Sequence, residues 1–525
     1  MDGSPTPVPP TRDLRLVGLV AAAGALGAGE LAGGLLPAAS SPLLAVATAV
    51  VEAAPPALTD AAIDALGRAS TPLLEIVVAA TVLVCGAWLG PRASSAPSRA
   101  LAGVVALAAV PPALAWATGG PALGALLGSA IAAVVGLALL AWLGRRAAGL
   151  VGADAAEDAP PADSPRGLAA SQRATLARRP LLRALGAVTG LGALGAVAGR
   201  WLLGRGAVDE AREAVRLPSP DGDRPAPPAG STVAGASPAL VANDDFYRID
   251  VEVRAPRVDP ATWRLRVTGR VERPLELTYD ELVALATDEA DVLLACVSNP
   301  VGGDLAGTAR WQGVRLDDLL DRAGLAEGAE QVLGKAVGGF TAGFPVAALD
   351  GRDALVAVAM NGEPLPIAHG FPARLVVPGL YGYVSATKWL TEIALTPADV
   401  DGYWVPRGWA KDAPIKPSSR IDVPRDGARV DAGRVAVAGV AWAAVGEVAA
   451  VEVAVDDGPW RTARLEPSLG PYAWRQWVLD WDAEPGGHTL AVRAVGEDGQ
   501  PQTAETAPPR PDGASGHHTI AVEVR

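Results

Sequence analysis

The sequence predicts three successive parts: a multi-span α-helical membrane anchor, an α+β domain, and an all-β sandwich. Three observations predict them. Half of the 525 residues are hydrophobic and the mean hydropathy is +0.26, too apolar and too long for one ordinary soluble domain. The apolar runs long enough to cross a bilayer fall within residues 1–204. Beyond residue 241 the pattern changes to short alternating runs separated by Gly, Pro and Asp turns. The parts read as 1–204, a linker at 205–240, 241–412 and 413–525.

Five spans are expected, at 14–36, 73–89, 101–118, 122–143 and 181–203. Between the first two, 43–52 is apolar but too short to cross and 57–69 is amphipathic, together an interfacial or re-entrant piece. Thr118-Gly-Gly-Pro121 makes a tight helical hairpin. Arg12, Arg15, Arg92, Arg99, Arg145, Arg146, Arg178, Arg179 and Arg183 all fall on one side of five crossings, with Arg200 and Arg205 as minor exceptions. That side is expected to be the cytoplasm, so everything after residue 203 faces outward from the cytoplasmic membrane. Glu30, inside the first span, either serves a function there or sits near the interface or against a neighbouring helix. Before His369 there is no histidine, and the methionines are Met1 and Met360, so no haem held by His or Met is expected in these helices. Ala177-Arg-Arg-Pro-Leu-Leu-Arg183 reads either as a twin-arginine export signal or as ordinary arginines flanking a span.

A net charge of −13 and a pI of about 4.9 argue against nucleic acid as a partner. With only Cys85, inside an apolar helix, and Cys296, a disulfide framework is excluded. Residues 217–231 form a Pro/Gly-rich, semi-extended spacer. Alternation at 246–253 and 262–271 predicts strands, and Thr278-Tyr-Asp-Glu281 opens a helix over 278–285. The apolar run Asp291-Val-Leu-Leu-Ala295 reads as a buried strand that delivers Cys296 to a Gly/Pro turn. A thiolate at a strand end can hold a soft metal, and the alternative is a small buried hydrophobe.

Other segments bear on that choice. Cys296-Val-Ser-Asn299 with Gly302-Gly303, Trp311-Gln-Gly-Val-Arg315, Met360-Asn-Gly-Glu-Pro-Leu-Pro366, His369-Gly-Phe-Pro-Ala-Arg374 and Lys388-Trp389 together resemble the sulfite oxidase family of molybdopterin enzymes. The resemblance covers about residues 241–525, and the helical half is similar to the anchor of multi-span actinobacterial members. It implies a sulfite-oxidase-like molybdopterin domain in which Cys296 ligates molybdenum and the downstream motif grips the pterin phosphate. Phosphate suits a planar bidentate donor and a point charge, which Arg374 and Lys388 supply. His369 either donates a ring N–H to a phosphate or pterin oxygen or is a structural histidine in a turn. The family pattern places Asn243, Phe246 and Tyr247 along the pterin, where two aromatics are otherwise simply core. Ser385 and Thr387 flank the phosphate lysine, and Thr341 is a further candidate.

One departure concerns the substrate. Sulfite oxidases carry arginines a few residues after the metal cysteine, where this chain has Pro300 and Val301. An anionic substrate would then need Arg248 or Arg310. The expected reaction is two-electron oxygen-atom transfer on a small oxyanion or sulfoxide, or, in reverse, reduction of sulfoxides such as oxidised methionine. Electrons would pass to or from a separate carrier, a soluble cytochrome or a quinol-linked membrane protein.

Evenly spaced strands at 434–440, 448–455, 474–481, 488–494 and 518–524 predict an immunoglobulin-like sandwich. It is similar to the C-terminal domain that mediates dimerisation in the family, so a homodimer is one expectation. His488, His517 and His518 read as strand and loop residues and not as a metal site. Two readings from other classes stand beside the enzyme: a metal-free membrane-anchored binding module, and a transporter built on Glu30 and the 43–52 segment.

Overall fold

The computed structural model describes residues 9–36, 39–55, 58, 62, 65–66, 70–117, 122–154, 165–204, 207–221, 230–252, 255–443 and 446–525. The 118–121 hairpin, most of 57–69 and part of the 217–231 spacer lie outside these residues. The chain divides into two compact units, Met1–Gly206 and Ala207–Arg525.

In the first unit, five helices are long and apolar enough to cross a bilayer: Thr11–Leu35, Pro72–Ser95, Pro97–Ala117, Ala122–Ala148 and Arg179–Arg200. The first is the hub, packing against the helices Ser70–Ser95, Ala122–Asp154 and Pro165–Gly204. Glycine permits this approach. A Cβ at Gly18 would run into the Gly86 carbonyl and one at Gly27 into the Gly192 carbonyl, the small-residue contact by which apolar helices associate where no hydrophobic effect separates them from lipid. Large apolar side chains point outward instead: Val84, Trp116, Leu123 and Leu191 are 68–80% exposed. The 43–52 run belongs to a helix, Pro42–Ala53, capped by Ser41. Glu30 is buried against that cap, its Oε1 accepting from the Ser41 hydroxyl at 2.6 Å. Glu75 pairs with Arg200 at 2.6 Å. The paired arginines of 177–183 lie within the helix Pro165–Gly204.

The second unit begins differently from expectation. Residues 207–221, assigned by composition to the linker, pack onto the domain. The helix Ala207–Ala214 carries Arg212, whose guanidinium donates to the carbonyls of Pro364 and Leu365, and Asp221 N–H bonds Thr287 O. The strand expected at 246–253 is replaced over 243–252 by a turn and irregular chain, with the Asp245 and Phe246 N–H groups both directed to Ala242 O. The alternation there was real but local. The turn brings the neighbouring rings of Phe246 and Tyr247 into a stack, whereas a strand would send them to opposite faces.

Two sheets form the core of this domain. One, ordered β2-β1-β10-β5-β6, comprises β1 (Arg264–Gly269), β2 (Leu275–Thr278), β5 (Gln331–Ala336), β6 (Thr341–Pro345) and β10 (Leu390–Thr396). The other runs β3-β4-β7-β8, from β3 (Asp288–Ala295), β4 (Ala306–Arg315), β7 (Leu355–Met360) and β8 (Glu363–Pro364), with β9 (Arg374–Val376) on β7. The helix Tyr279–Ala284 starts with a Thr278/Glu281 capping box, as its sequence predicts. Residues 413–525 form two further sheets. One holds β11 (Ser418–Val423), β13 (Gly433–Trp442), β16 (Arg464–Leu465) and β17 (Arg475–Ala483). The second holds β12 (Ala428–Val430), β14 (Val448–Val455), β15 (Arg461–Thr462), β18 (Gly486–Gly496) and β19 (His518–Val524), and inward side chains of both sheets share one core. This β-rich region is not separate from the α+β core. Val440, Trp442 and Trp474 belong to the core of the latter, and Leu293 N–H bonds Tyr472 O at 2.7 Å.

Candidate active site

Strand β3 is buried from Ala290 to Ala295, where it ends, and Cys296 is the next residue. The chain then turns tightly, with Asn299 N–H on Cys296 O and the Asn299 side chain accepting from Leu305 N–H. Cys296 is half-buried at this turn. Burial pushes its thiol above the ordinary cysteine value, and Ser298, through its N–H and hydroxyl, pulls the other way.

The second contribution comes from the segment 367–376. Gly370, at φ +114°, takes a left-handed turn between His369 and Arg374, and a Cβ there would stand 3.1 Å from Lys388 Cβ and 3.2 Å from Arg374 Cβ. Arg374 is 4% exposed. Its guanidinium donates to His369 O at 3.0 Å and lies 4.8 Å over the Trp311 ring, and burial lowers its pKa to about 10. Among the described residues no carboxylate pairs with it. His369 Nε2 lies 2.9 Å from Asn243 O. A carbonyl only accepts, so Nε2 carries the proton and Nδ1 remains an acceptor. The expected ring N–H toward a cofactor oxygen is therefore already committed to Asn243, and an acceptor is what the imidazole has left.

Asn243 is fixed from both sides, its amide donating to Met360 O and accepting from Asn361. Asn361 was quoted in its motif but not selected as a site residue. Its φ of +53° sets it in the left-handed region, where its side chain also ties Val241 and Arg310 together. Phe246 stacks on Tyr247 with centroids 5.3 Å apart and meets Trp311 and His369 edge-on. Burial raises the Tyr247 phenol well above its ordinary value, Cys296 adds to the effect and Arg374 opposes it. The Tyr247 hydroxyl lies near the end of β3, 3.9 Å from where a Cβ at Gly382 would stand, with Ala295 O at 3.7 Å from the same point.

Lys388 donates to Ile249 O and forms an ion pair with Asp250, which also lies 3.5 Å from Arg248. Arg248 is half-exposed at the rim of this cluster. Thr387 Oγ1 is buried with no hydrogen-bond partner. Three of the expected residues stand apart. The Ser385 hydroxyl is spent on Leu380 O and Tyr381 O. Thr341 is on the edge strand β6, its carbonyl accepting from Tyr403 N–H. The Arg310 side chain makes a bidentate pair with Asp291 at 2.8 Å, both largely buried, five residues along the chain from Cys296. Removing one partner of such a pair strands the other. Arg310→Ala is expected to lower the unfolding free energy by about 3 kcal/mol while leaving KM within about threefold. Urea unfolding and steady-state kinetics check this, and a tenfold KM rise at unchanged stability would place Arg310 at the substrate instead.

Comparison with known proteins bears on what this cluster is for. Residues 252–404 match the family described as the oxidoreductase molybdopterin binding domain. Sulfite oxidase of Gallus gallus is 32% identical over 296 residues, 47% of this chain and 64% of its own. The mitochondrial sulfite oxidase of Homo sapiens is 32% identical over 304 residues, 48% of this chain and 55% of its own. The chain thus spans between half and two thirds of the length of these relatives. An uncharacterized oxidoreductase of Bacillus subtilis, YuiH, is 36% identical over 151 residues, 29% of this chain and 74% of its own. The chain belongs to the sulfite oxidase family of molybdopterin oxidoreductases.

As a sulfite oxidase family member it should hold a molybdopterin, and its residues fit one. A buried guanidinium without a carboxylate and a buried threonine hydroxyl without a partner are costly unless an anion or polar group answers them. A phosphate-bearing pterin answers both. The half-buried Cys296 has the thiol that would suit such a metal.

His369 gives a test of the cluster without cofactor. Burial, reinforced by Arg374, pushes its pKa down from 6.5 to about 4. Between those values the unfolded chain binds a proton that the folded one refuses. Stability from this group is complete above about pH 6.5 and falls with pH, by up to about 3 kcal/mol near pH 4. The difference between the unfolding free energies of wild type and His369→Gln, followed from pH 7 to 4, should carry that slope, and parallel profiles would contradict it.

Proposed function

We propose that this chain is a membrane-anchored molybdenum-cofactor oxidoreductase that transfers an oxygen atom to or from a small sulfur oxyanion outside the cytoplasmic membrane. The observation that carries the reading is a buried Arg374, paired with no carboxylate among the described residues, joined to the His369–Asn243 contact and, through the Phe246–Tyr247 stack, to the end of the strand that delivers Cys296, where a Cβ at Gly382 would lie 3.7 Å from Ala295 O and 3.9 Å from the Tyr247 hydroxyl. When bound, the cofactor supplies two-electron redox chemistry and the oxygen-transfer centre. The chain's own residues hold and orient it. Cys296 is the metal ligand, Arg374 and Lys388 bind the phosphate with Thr387 Oγ1 as a further partner, and His369 Nδ1 accepts from the pterin. Tyr247 keeps its phenolic proton at neutral pH and would be available as a donor to the bound cofactor or substrate. In the oxidase direction, sulfite and water become sulfate, two protons and two electrons. The electrons leave to a separate carrier, a cytochrome or a quinol-linked membrane protein.

The absence of cations at Pro300 and Val301 favours testing sulfoxide reduction as a second reading. Purified protein supplied with sulfite and an artificial acceptor should reduce the acceptor. Turnover of methionine sulfoxide with a reduced dye, and none with sulfite, would give the second reading. The five apolar helices with outward Leu, Val and Trp support a lipid-embedded anchor, and the arginine asymmetry supports an outward catalytic unit. After alkaline carbonate washing the protein should stay in the membrane pellet, and protease added to spheroplasts should digest the 207–525 unit. Recovery in the supernatant would contradict the anchor, and protection the sidedness. The two-sheet C-terminal region is the proposed immunoglobulin-like dimerisation domain.

A further inference from the structure

The oxyanion reading leaves one question of charge. A sulfur oxyanion beside the metal needs a cation, yet the cysteine loop offers Pro300 and Val301, Arg310 is held by Asp291, and Arg248 lies beside Asp250 with Lys388. A small cavity flanks the cysteine loop between the two parts of the second unit. Its walls include Ala295, Asn299, Val301, Tyr381, Lys416 and Trp442, and among the described residues lining it Lys416 alone is charged.

Lys416 is positioned by backbone. Tyr381 N–H bonds Ala413 O, Ile415 N–H bonds Gly379 O, and Lys416 N–H reaches the Tyr381 hydroxyl at 3.4 Å. The segment that carries the lysine is thus laced to the 379–381 stretch of the site. Its Nζ is capped from the loop opposite, donating to Asp512 Oδ1 at 3.0 Å and to Gly513 O at 2.7 Å. Asp512 is half-exposed, so its carboxylate can turn into water at little cost. The cavity is only about 10 Å³, the room of a single water. An oxyanion cannot fit while Asp512 caps the lysine, and it brings the same charge when Asp512 leaves.

We propose that Lys416 is the oxyanion-binding residue of this enzyme and that Asp512 is a placeholder anion which the substrate displaces from it. This places substrate recognition on the segment entering the C-terminal region, in place of the arginines that sulfite oxidases carry after the cysteine. Oxyanion affinity is then set by competition, and an exchange of partners at one ammonium opens the pocket.

The inference rests on the oxyanion reading, so its test uses binding as well as turnover. Sulfate, an inert oxyanion, is titrated calorimetrically into the full-length cofactor-loaded protein in detergent. Lys416→Met is expected to weaken sulfate binding about tenfold or more, Lys416→Arg to retain it, and Asp512→Asn to tighten it about threefold or more. Kinetically, Lys416→Met should raise KM for sulfite by a similar factor with kcat within about threefold, a split that general damage to the fold would not give. Wild type without measurable sulfate binding, Lys416→Met binding it as wild type does, or Asp512→Asn binding it more weakly would each overturn the proposal. Sulfate binding that follows the lysine in a protein that never oxidises sulfite would uphold the pocket and reject sulfite oxidation.

Discussion

Cys296→Ser will lower turnover by at least about a thousandfold, equivalent to about 4 kcal/mol of barrier, while the protein folds normally. Serine is nearly isosteric, and the turn at Cys296 is held by backbone groups and the Asn299 side chain rather than by sulfur. The packing cost is therefore small. What is lost is the only thiol in the second unit, and a hydroxyl at neutral pH neither ionises nor matches a soft metal. Thiolate-to-metal absorption should vanish with activity, while pterin content falls less because Arg374 and Lys388 still hold the phosphate end. Unchanged absorption in the serine variant would move the metal away from Cys296.

Arg374→Met will abolish cofactor retention, with pterin content dropping below about a tenth of wild type, the loss of two charge-assisted bonds to phosphate. In cofactor-free protein the same change will shift stability by less than about 1 kcal/mol. Three effects oppose one another there. Methionine loses the bond to His369 O and the contact with Trp311, each worth about 1–2 kcal/mol. It also removes a cation buried at 4% exposure with no carboxylate beside it, a burden of similar size. Arg310→Ala provides the contrast, because that guanidinium already has its anion in Asp291. On the proposed reading one arginine awaits a ligand and the other braces the fold. Metal-free protein and its two variants, compared by urea unfolding and pterin fluorescence, separate these roles. A large destabilisation of the cofactor-free Arg374→Met protein would mean that Arg374 is structural.

Much of this architecture was legible because its signals are long or chemically loud. The five apolar runs became five helices, since 20 or so apolar residues have few other ways to satisfy their backbone. Strands β14 and β19 match their expected limits of 448–455 and 518–524, and in β19 burial alternates residue by residue. Many strands went unforeseen: in the C-terminal region β12, β15 and β16, which are two or three residues long and carry no period, and the six-residue β11, and in the α+β domain β2 and β4 to β10. The alternation at 246–253 misled because two adjacent aromatics fit a strand pattern as well as a turn that stacks them. In the candidate site, motif spacing singled out Cys296, His369, Arg374 and Lys388 as expectations. It could not say which way side chains spend their bonds, so Arg310 was read as free for substrate and Ser385 as free for phosphate. Trp311 beneath Arg374 opens one of the motifs without being marked there as a site residue, and Lys416 beside the cysteine loop belongs to no motif. Lys416 is brought there by the pairing of 413–415 with 379–381, a contact between segments more than 30 residues apart.

The most direct measurement is joint metal and pterin analysis of the full-length protein purified from a host that makes the cofactor, followed by sulfite-dependent turnover. The account predicts molybdenum and pterin each near one per chain, with both reduced in Arg374→Met. Protein that folds and reaches the membrane yet carries neither would contradict the enzyme reading and leave a metal-free binding module in its place.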